Sequence, residues 1–320
     1  MRRFLLWLAL GFGFACALGA ADTPGARVIL VAGAVGDPEF APDFDAQLDA
    51  WSKTAAAAGA RLSVVGREGD GVVPGDRDRL RETLAAEPRE GTAELWLVLV
   101  GHGTFDGREA KLNLRGPDVS AAELGEWLKP FSRPVAVVHT TSSSAPFIAK
   151  LAAPGRVVVS ATRSGNEQNY TRFGKYFAEA LADPASDLDR DGQVSLLESF
   201  LSAANRTAEF YKTEGRLATE HPLVEDNGDG LGTPPDWFRG VLAVKRSSDG
   251  AAPDGTRAHQ LHLVRSAAEQ SLSAEDRARR DDLERRLAEL RSRKAKLAED
   301  AYFKELEGIL LALADVYRGK

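Results

Sequence analysis

Residues 95–103 read LWLVLVGHG and are the strongest strand signal in the chain. Six consecutive apolar residues that end in Gly-His-Gly predict a β-strand buried on both faces, as in a parallel sheet. His102 stands where this strand ends, and the glycines on either side of it let the backbone come close to a bound group. The plainer interpretation of His102 is a hydrogen-bonded structural residue of the loop.

Similar apolar runs on both sides of this strand predict a sheet. The runs lie at residues 27–34, 61–65, 135–139 and 156–160, and helical patterns lie between or after them at 43–58, 76–86, 120–128 and 173–183. Strands that alternate with helices at this spacing predict an α/β fold, with a mostly parallel sheet flanked by helices. Ligands of such sheets gather at the carboxyl ends of the strands. We therefore expect the functional site where strands 95–100 and 135–139 end.

A run of hydroxyl side chains follows the strand at 135–139. The residues are His139-Thr140-Thr141-Ser142-Ser143-Ser144-Ala145-Pro146-Phe147. A strand ending in His-Gly, an insert with a helix, and a strand ending in Cys-x-Ser-Gly-x-Phe is the order found in legumain-like and caspase-like cysteine peptidases. The chain resembles these peptidases over about residues 26–240, and segments 156–165 and 173–177 are also similar to bacterial members of the legumain-like family.

The resemblance implies a caspase/legumain-like fold and gives roles to three residues. His102 takes the place of the catalytic histidine, and Ser142 stands where the family has its nucleophilic cysteine. The backbone amides of Gly103 and Ser142 take the place of the donors that stabilise the oxyanion.

The sequence departs from this family at the nucleophile. The family's chemistry needs a partly ionised thiol, whereas a serine hydroxyl needs a strong, oriented base. The only cysteine, Cys16, lies near the N-terminus, and Ala145 replaces the usual glycine. We therefore expect an inactive, peptidase-like binding or scaffold module. The alternative is an active hydrolase that uses Ser142, or a neighbouring serine, with His102, although no acidic residue is evidently placed to orient the histidine.

Residues 1–21 predict an export signal. They contain Arg2 and Arg3, an apolar run at 4–18 and small residues before Asp22. We expect the mature chain in a periplasm or outside the cell, without a membrane span and without disulfides, because Cys16 leaves with the signal. The 47 acidic and 41 basic residues give a net charge of −6 and are interspersed, which argues against a nucleic-acid partner.

Residues 187–198, DLDRDGQVSLLE, match the twelve-residue EF-hand loop. The pattern requires three carboxylates, a backbone carbonyl, a residue that often binds through water and a bidentate glutamate. These are Asp187, Asp189, Asp191, Gln193, Ser195 and Glu198. The sequence therefore predicts a Ca²⁺ site, which could stay filled outside the cell and act structurally. A solvated acidic turn is the alternative.

A second acidic segment, EDNGDGLGTPPD at 225–236, fits the pattern less well. Pro234 and Pro235 prevent the helix that usually follows such a loop. A tight Asp/Gly turn is the favoured interpretation, and a second ion site stays open.

The composition changes to Arg, Glu, Leu and Ala toward the C-terminus. Apolar residues at helical spacing predict two helices, the second with Phe303, Leu306, Leu310, Leu313 and Tyr317 on one face. We expect a helical hairpin or coiled-coil tail at 265–320, joined by a linker at 244–264 to a domain at 26–243. The tail could pack on its own domain, form a homo-oligomer or bind an unidentified protein or peptide partner.

Overall fold

A six-stranded β-sheet forms the centre of the molecule. The computed structural model describes residues 25–67, 73–245 and 253–318, so the expected export signal lies outside the described residues. In chain order, the strands are β1 Arg27–Ala32, β2 Arg61–Val65, β3 Leu95–Val100, β4 Gly103–Phe105, β5 Ala110–Leu112, β6 Val119–Ser120, β7 Val135–His139, β8 Arg156–Ser160, β9 Leu223–Glu225, β10 Phe238–Arg239 and β11 Leu242–Ala243.

The central sheet has the order β2-β1-β3-β7-β8-β9. Strands β1, β2, β3, β7 and β8 are parallel, and β9 joins antiparallel to β8 at one edge. The prediction of a mostly parallel sheet is confirmed, and β3 lies between β1 and β7 near its centre.

Helices cover both faces of this sheet. In chain order, the α-helices are α1 Ala41–Ala57, α2 Asp76–Ala85, α3 Ala121–Leu128, α4 Ala145–Leu151, α5 Phe173–Ala180, α6 Leu196–Thr213, α7 Thr256–Gln260, α8 Ala267–Ser271, α9 Ala274–Arg293 and α10 Glu299–Arg318. Helices α1, α5 and α6 pack on the face that carries Trp96 and Val98, and α2, α3 and α4 pack on the face that carries Leu97 and Leu99. Because successive side chains of a strand point to opposite faces, burial of both faces explains the uninterrupted apolar runs.

A small antiparallel sheet, β4-β5-β6, extends from the end of β3. It sets the path of the chain after His102, because Gly103 pairs with Leu112. A Cβ atom at Gly103 would lie 2.3 Å from the Ser142 carbonyl oxygen. Only glycine allows the two strand ends to approach this closely.

Helix α3 begins as the sequence predicted. Ser120 accepts a hydrogen bond from the Glu123 amide, and the Glu123 side chain accepts one from the Ser120 amide. This reciprocal pair satisfies two amides that the first turn of a helix leaves free. The sequence analysis did not predict β4, β9 or α4, which are short elements without a clear period of their own.

Helices α9 and α10 form the expected C-terminal hairpin with an apolar core of its own. Its buried residues include Leu283 and Leu290 of α9 and Tyr302, Ile309 and Val316 of α10.

The buried stripe of α10 is not the predicted one. Leu306 and Leu313 are partly buried, but Phe303, Leu310 and Tyr317 are 50%, 46% and 48% exposed. The helix carries two adjacent apolar stripes, and packing against α9 selects the one shifted by one residue.

The segment at 256–263 packs on the main domain. Ala258, Leu261 and Leu263 belong to the core under α1, α5 and α6. The Leu196 amide donates to the Leu261 carbonyl oxygen at 2.8 Å, which ties this segment to the start of α6. None of the described helices is long and apolar enough to cross a membrane.

Candidate functional site

The two predicted strand ends lie side by side. Strands β3 and β7 are neighbours in the sheet, with Leu99 opposite His139, so His102 and Ser142 follow adjacent carboxyl ends. This is the juxtaposition that the sequence predicted.

The Ser142 hydroxyl forms two hydrogen bonds with the backbone of Gly103, one with its amide and one with its carbonyl oxygen. Its Oγ accepts a hydrogen bond from the Gly103 amide at 3.1 Å and donates one to the Gly103 carbonyl oxygen at 3.0 Å. Ser142 is only 2% exposed. A hydroxyl has a single proton, so the bond to the carbonyl leaves none to give to a base. The Gly103 amide, a candidate oxyanion donor, is occupied by the same hydroxyl.

The His102 ring lies in an aromatic cluster. The centroids of Phe40, Phe44 and Tyr170 lie 4.9, 5.2 and 6.4 Å from that of His102, all in edge contacts. Burial lowers the pKa of His102 below its usual value, and a hydrogen bond with the Val35 backbone opposes this only in part. Within the described residues, His102 and Ser142 are not hydrogen-bonded to each other.

The other two serines of the run are also engaged. The Ser143 hydroxyl donates to the Gly165 carbonyl oxygen at 2.8 Å, and Ser143 has a φ of +55°. The Ser144 Oγ accepts from the Ala161 amide at 3.0 Å. Both serines are buried. The run therefore acts as a connector that ties the end of β7 to the segment after β8, and neither neighbour of Ser142 offers a free hydroxyl.

His139 is a buried structural histidine. Its Nδ1 lies 3.1 Å from the Thr141 hydroxyl, which gives its own proton to the Ser142 carbonyl oxygen at 2.9 Å, so Nδ1 carries the ring proton. Its Nε2 has no hydrogen-bond partner among the described residues, and the ring lies edge-on to Phe147 at 4.2 Å. Burial lowers the pKa of His139 to about 3.

The acidic loop at 187–198 folds back on its own carboxylates. Asp187 accepts hydrogen bonds from the amides of Asp191 at 3.1 Å and Gly192 at 3.0 Å. Arg190 and Gly192 have φ values of +63° and +89°, which produce the sharp turn. One carboxylate oxygen from each of Asp187, Asp189 and Asp191 lies within 4.8 Å of the others. Oxygens that bind a common Ca²⁺ at 2.3–2.6 Å have such separations.

Glu198 closes this loop from the start of α6. It is fully buried, and its two oxygens accept from the Leu188 amide at 2.7 Å and from the Ser195 amide at 2.8 Å. Ser195 caps α6, with the reciprocal bond to the Glu198 amide. The Gln193 side chain links the loop to the later segment, since its Nε2 donates to Asp191 at 3.1 Å and its Oε1 accepts from the Ser266 amide at 3.1 Å. The predicted ligand atom of this residue is its backbone oxygen.

The structure adds a histidine that the sequence analysis did not identify. His259 Nε2 lies 3.1 Å from Asp189 Oδ2, and one ligand atom from each of Asp189, Glu198 and His259 lies within 4.8 Å of the others. His259 is 70 residues from Asp189 in sequence. The His-x-x-His spacing with His262 was the one local signal that could have drawn attention to this segment.

The start of the second acidic segment is buried, and its carboxylates and that of Asp254 accept hydrogen bonds from backbone amides. Asp254 accepts from the amides of Asp226 at 2.8 Å and Asn227 at 3.1 Å, and Asp226 accepts from the Ala258 amide in α7 at 2.8 Å. Burial raises the pKa of Asp226 and that of Asp254, and it raises the pKa of Glu225 to about 7. In the described part of this turn, no three carboxylate or imidazole groups bring ligand atoms within 4.8 Å of one another, as they do in the loop at 187–198.

Comparisons with known proteins identify no family for this chain. No family model and no curated protein matches it. Solved structures similar to it include the Drosophila initiator caspase Dronc, with 14% identity over 70% of this chain and 89% of that one, and a TM-score of 0.38. Caspase-1 from Spodoptera frugiperda has 11% identity over 63% and 86% of the two chains, and a TM-score of 0.41. At these scores the similarity carries no functional argument, and the strand order described above defines the fold.

Proposed function

We propose that this chain is an exported, calcium-binding protein with an inactive, legumain-like domain that serves as a binding or scaffold module. The observation that carries the proposal of inactivity is the Ser142 hydroxyl, which is buried and bonded twice to Gly103.

Three requirements of nucleophilic catalysis are unmet around Ser142. A serine nucleophile needs a base that accepts its proton, an open path to a substrate and free donors for the oxyanion. Here the proton goes to a carbonyl oxygen, the hydroxyl is shielded, and the Gly103 amide is already used. A cysteine mechanism is also excluded for the described residues, because the sole cysteine is Cys16.

An active hydrolase that uses Ser142 and His102 is the second candidate, and the adjacent ends of β3 and β7 favour it. A serine-directed phosphonofluoridate probe separates the two candidates. We expect no covalent labelling of the purified chain and no reaction with thiol-directed peptidase inhibitors. Labelling at Ser142 that disappears in a His102→Ala variant would overturn the proposal of inactivity.

A cysteine at position 142 provides a further test. We expect Ser142→Cys to gain no measurable amide hydrolysis, because the aromatic cluster holds the His102 ring and Ala145 adds a methyl group beside the site. Cleavage by this variant would mean that the rest of the site is intact.

The calcium proposal rests on the loop at 187–198. Three aspartates converge there, Glu198 closes the loop, and no lysine or arginine is ion-paired with Asp187, Asp189 or Asp191 among the described residues. Without a cation, the mutual repulsion of these carboxylates opposes the arrangement. A cation at one hundred times its Kd would stabilise the fold by about 2.7 kcal/mol if it does not bind the unfolded chain.

Thermal unfolding with and without calcium tests this proposal. We expect Ca²⁺ to raise the melting temperature of chelator-treated protein by about 5 °C, which is what about 2.7 kcal/mol is worth in a domain of this size. Glu198→Gln should remove most of the shift, and Glu209→Gln on the surface of α6 should leave it intact. A melting temperature that does not respond to calcium in the wild type would refute the proposal.

The C-terminal hairpin is proposed as the contact for a partner or a second copy. Phe303, Leu310 and Tyr317 leave about half of each side chain exposed along α10. Sedimentation of the wild type against a Phe303→Ser/Leu310→Ser variant would detect self-association, and a monomeric wild type would exclude the homo-oligomer.

A further inference from the structure

On the side that faces α7, the acidic loop has a histidine beside its carboxylates, whereas an EF-hand loop offers calcium only oxygen ligands. His259 reaches Asp189 Oδ2 at 3.1 Å from this side. The ligand atoms of Asp189, Glu198 and His259 all lie within 4.8 Å of one another. An imidazole nitrogen therefore stands with two carboxylates around one point.

A second imidazole, that of His262, lines a cavity together with His259. His262 is 7% exposed, and its Nε2 has no hydrogen-bond partner among the described residues. It borders a cavity of about 170 Å³ together with Asp191, Gln193 and His259. A buried ring nitrogen without a partner forfeits a hydrogen bond, and a water molecule in this cavity would supply one.

The backbone around these histidines is held on three sides. The start of α7 is bound to the Asp226 carboxylate, the Leu261 carbonyl oxygen accepts from the Leu196 amide, and the Ser266 amide donates to the Gln193 side chain at 3.1 Å. The imidazoles are therefore carried by a segment that is fixed to the second half of the acidic loop and to Asp226. Arg280, a buried cation that lines the cavity with both histidines, is paired with Glu269 and Asp281, so its charge is compensated.

We propose that Asp189, Glu198 and His259 form a site for a divalent d-block cation of the zinc type. One imidazole nitrogen and two carboxylate oxygens are three protein ligands that suit tetrahedral Zn²⁺ with a water molecule in the fourth position, whereas Ca²⁺ takes six to eight oxygen ligands. Because the site shares Asp189 and Glu198 with the proposed calcium loop, zinc and calcium compete for the loop. Each ion then lowers the apparent affinity for the other.

Zinc titration of chelator-treated, full mature protein tests the proposal. We expect the wild type to bind one equivalent of Zn²⁺ and His259→Ala to lose at least about tenfold in affinity, because even partners that only orient a metal ligand are worth about 10–100-fold. His221→Ala is the matched control, since His221 contacts Glu167 away from the loop, and it should bind as the wild type does.

Two further measurements keep the outcomes distinct. Co²⁺ bound in place of Zn²⁺ should give visible absorption bands of a four-coordinate site in the wild type, and His259→Gln should lose them even if its melting temperature is unchanged. The calcium-dependent rise in melting temperature should persist in His259→Ala, so failure of the zinc site and failure of the calcium proposal can be told apart. A wild type that binds no Zn²⁺, or a His259→Ala variant that binds it as tightly as the wild type, would overturn the proposal.

Discussion

The Ser142→Ala variant separates a structural serine from a catalytic one. The substitution removes both hydrogen bonds to Gly103, at 3.1 and 3.0 Å, in a site that is 2% exposed. With about 0.5–1.5 kcal/mol for each net hydrogen bond, the expected loss in the free energy of unfolding is about 1–3 kcal/mol. A solvent-facing nucleophile would make no such contribution.

Urea unfolding followed by tryptophan fluorescence can measure this loss. Trp51 and Trp96 are fully buried on one face of the sheet, so their emission reports the main core. Ser132→Ala is the matched control, because Ser132 is exposed and its Oγ lies 3.4 Å from the Arg89 carbonyl oxygen. We expect the control to stay within about 0.5 kcal/mol of the wild type. If Ser142→Ala unfolds at the same urea concentration as the wild type, the assignment of a structural role to this hydroxyl is wrong.

Three further predictions concern other parts of the fold. Gly103→Ala should cost more than about 2 kcal/mol in urea unfolding, because its Cβ would meet the Ser142 carbonyl oxygen at 2.3 Å, whereas Gly75→Ala, which has open space, should be nearly neutral. Burial lowers the pKa of His139 to about 3, so below pH 6.5 the unfolded chain takes up a proton at this residue while the folded chain does not, and stability falls as the pH falls. From pH 7 to 5 the wild type should lose about 2 kcal/mol more than His139→Gln, and equal losses would contradict this. Ile309→Ala should lower the stability of the hairpin by about 2–5 kcal/mol, visible as faster amide exchange in α9 and α10, and unchanged exchange would mean that the two helices do not share a core.

The central strands could be predicted because both faces of the sheet are buried. This produces runs such as Leu95–Val100 in which no position is polar, and such runs can be predicted to be strands without any knowledge of the partner strand. The start of α3 could be predicted because Ser120 and Glu123 are close in sequence and complete the capping box by themselves.

Features that depend on distant contacts could not be predicted. The hydrogen bonding of the Ser142 hydroxyl depends on Gly103, 39 residues earlier, and on how closely the two strand ends approach each other. His259 meets Asp189 across 70 residues. Which stripe of α10 is buried depends on the residues of α9 that face it, and the helical period alone left two stripes possible.

Helix α7 has only five residues, Thr256–Gln260, which is far too short to be stable in isolation. Its order must come from the two attachments described above, the Asp226 carboxylate at its start and the Leu196 amide that binds the chain just after its end. The position of the His259 side chain at the acidic loop therefore depends on the native placement of both β9 and α6. The cluster of Asp189, Glu198 and His259 exists as a unit in the native chain alone, so an ion bound there would act as a reporter of native tertiary structure, released in step with global unfolding.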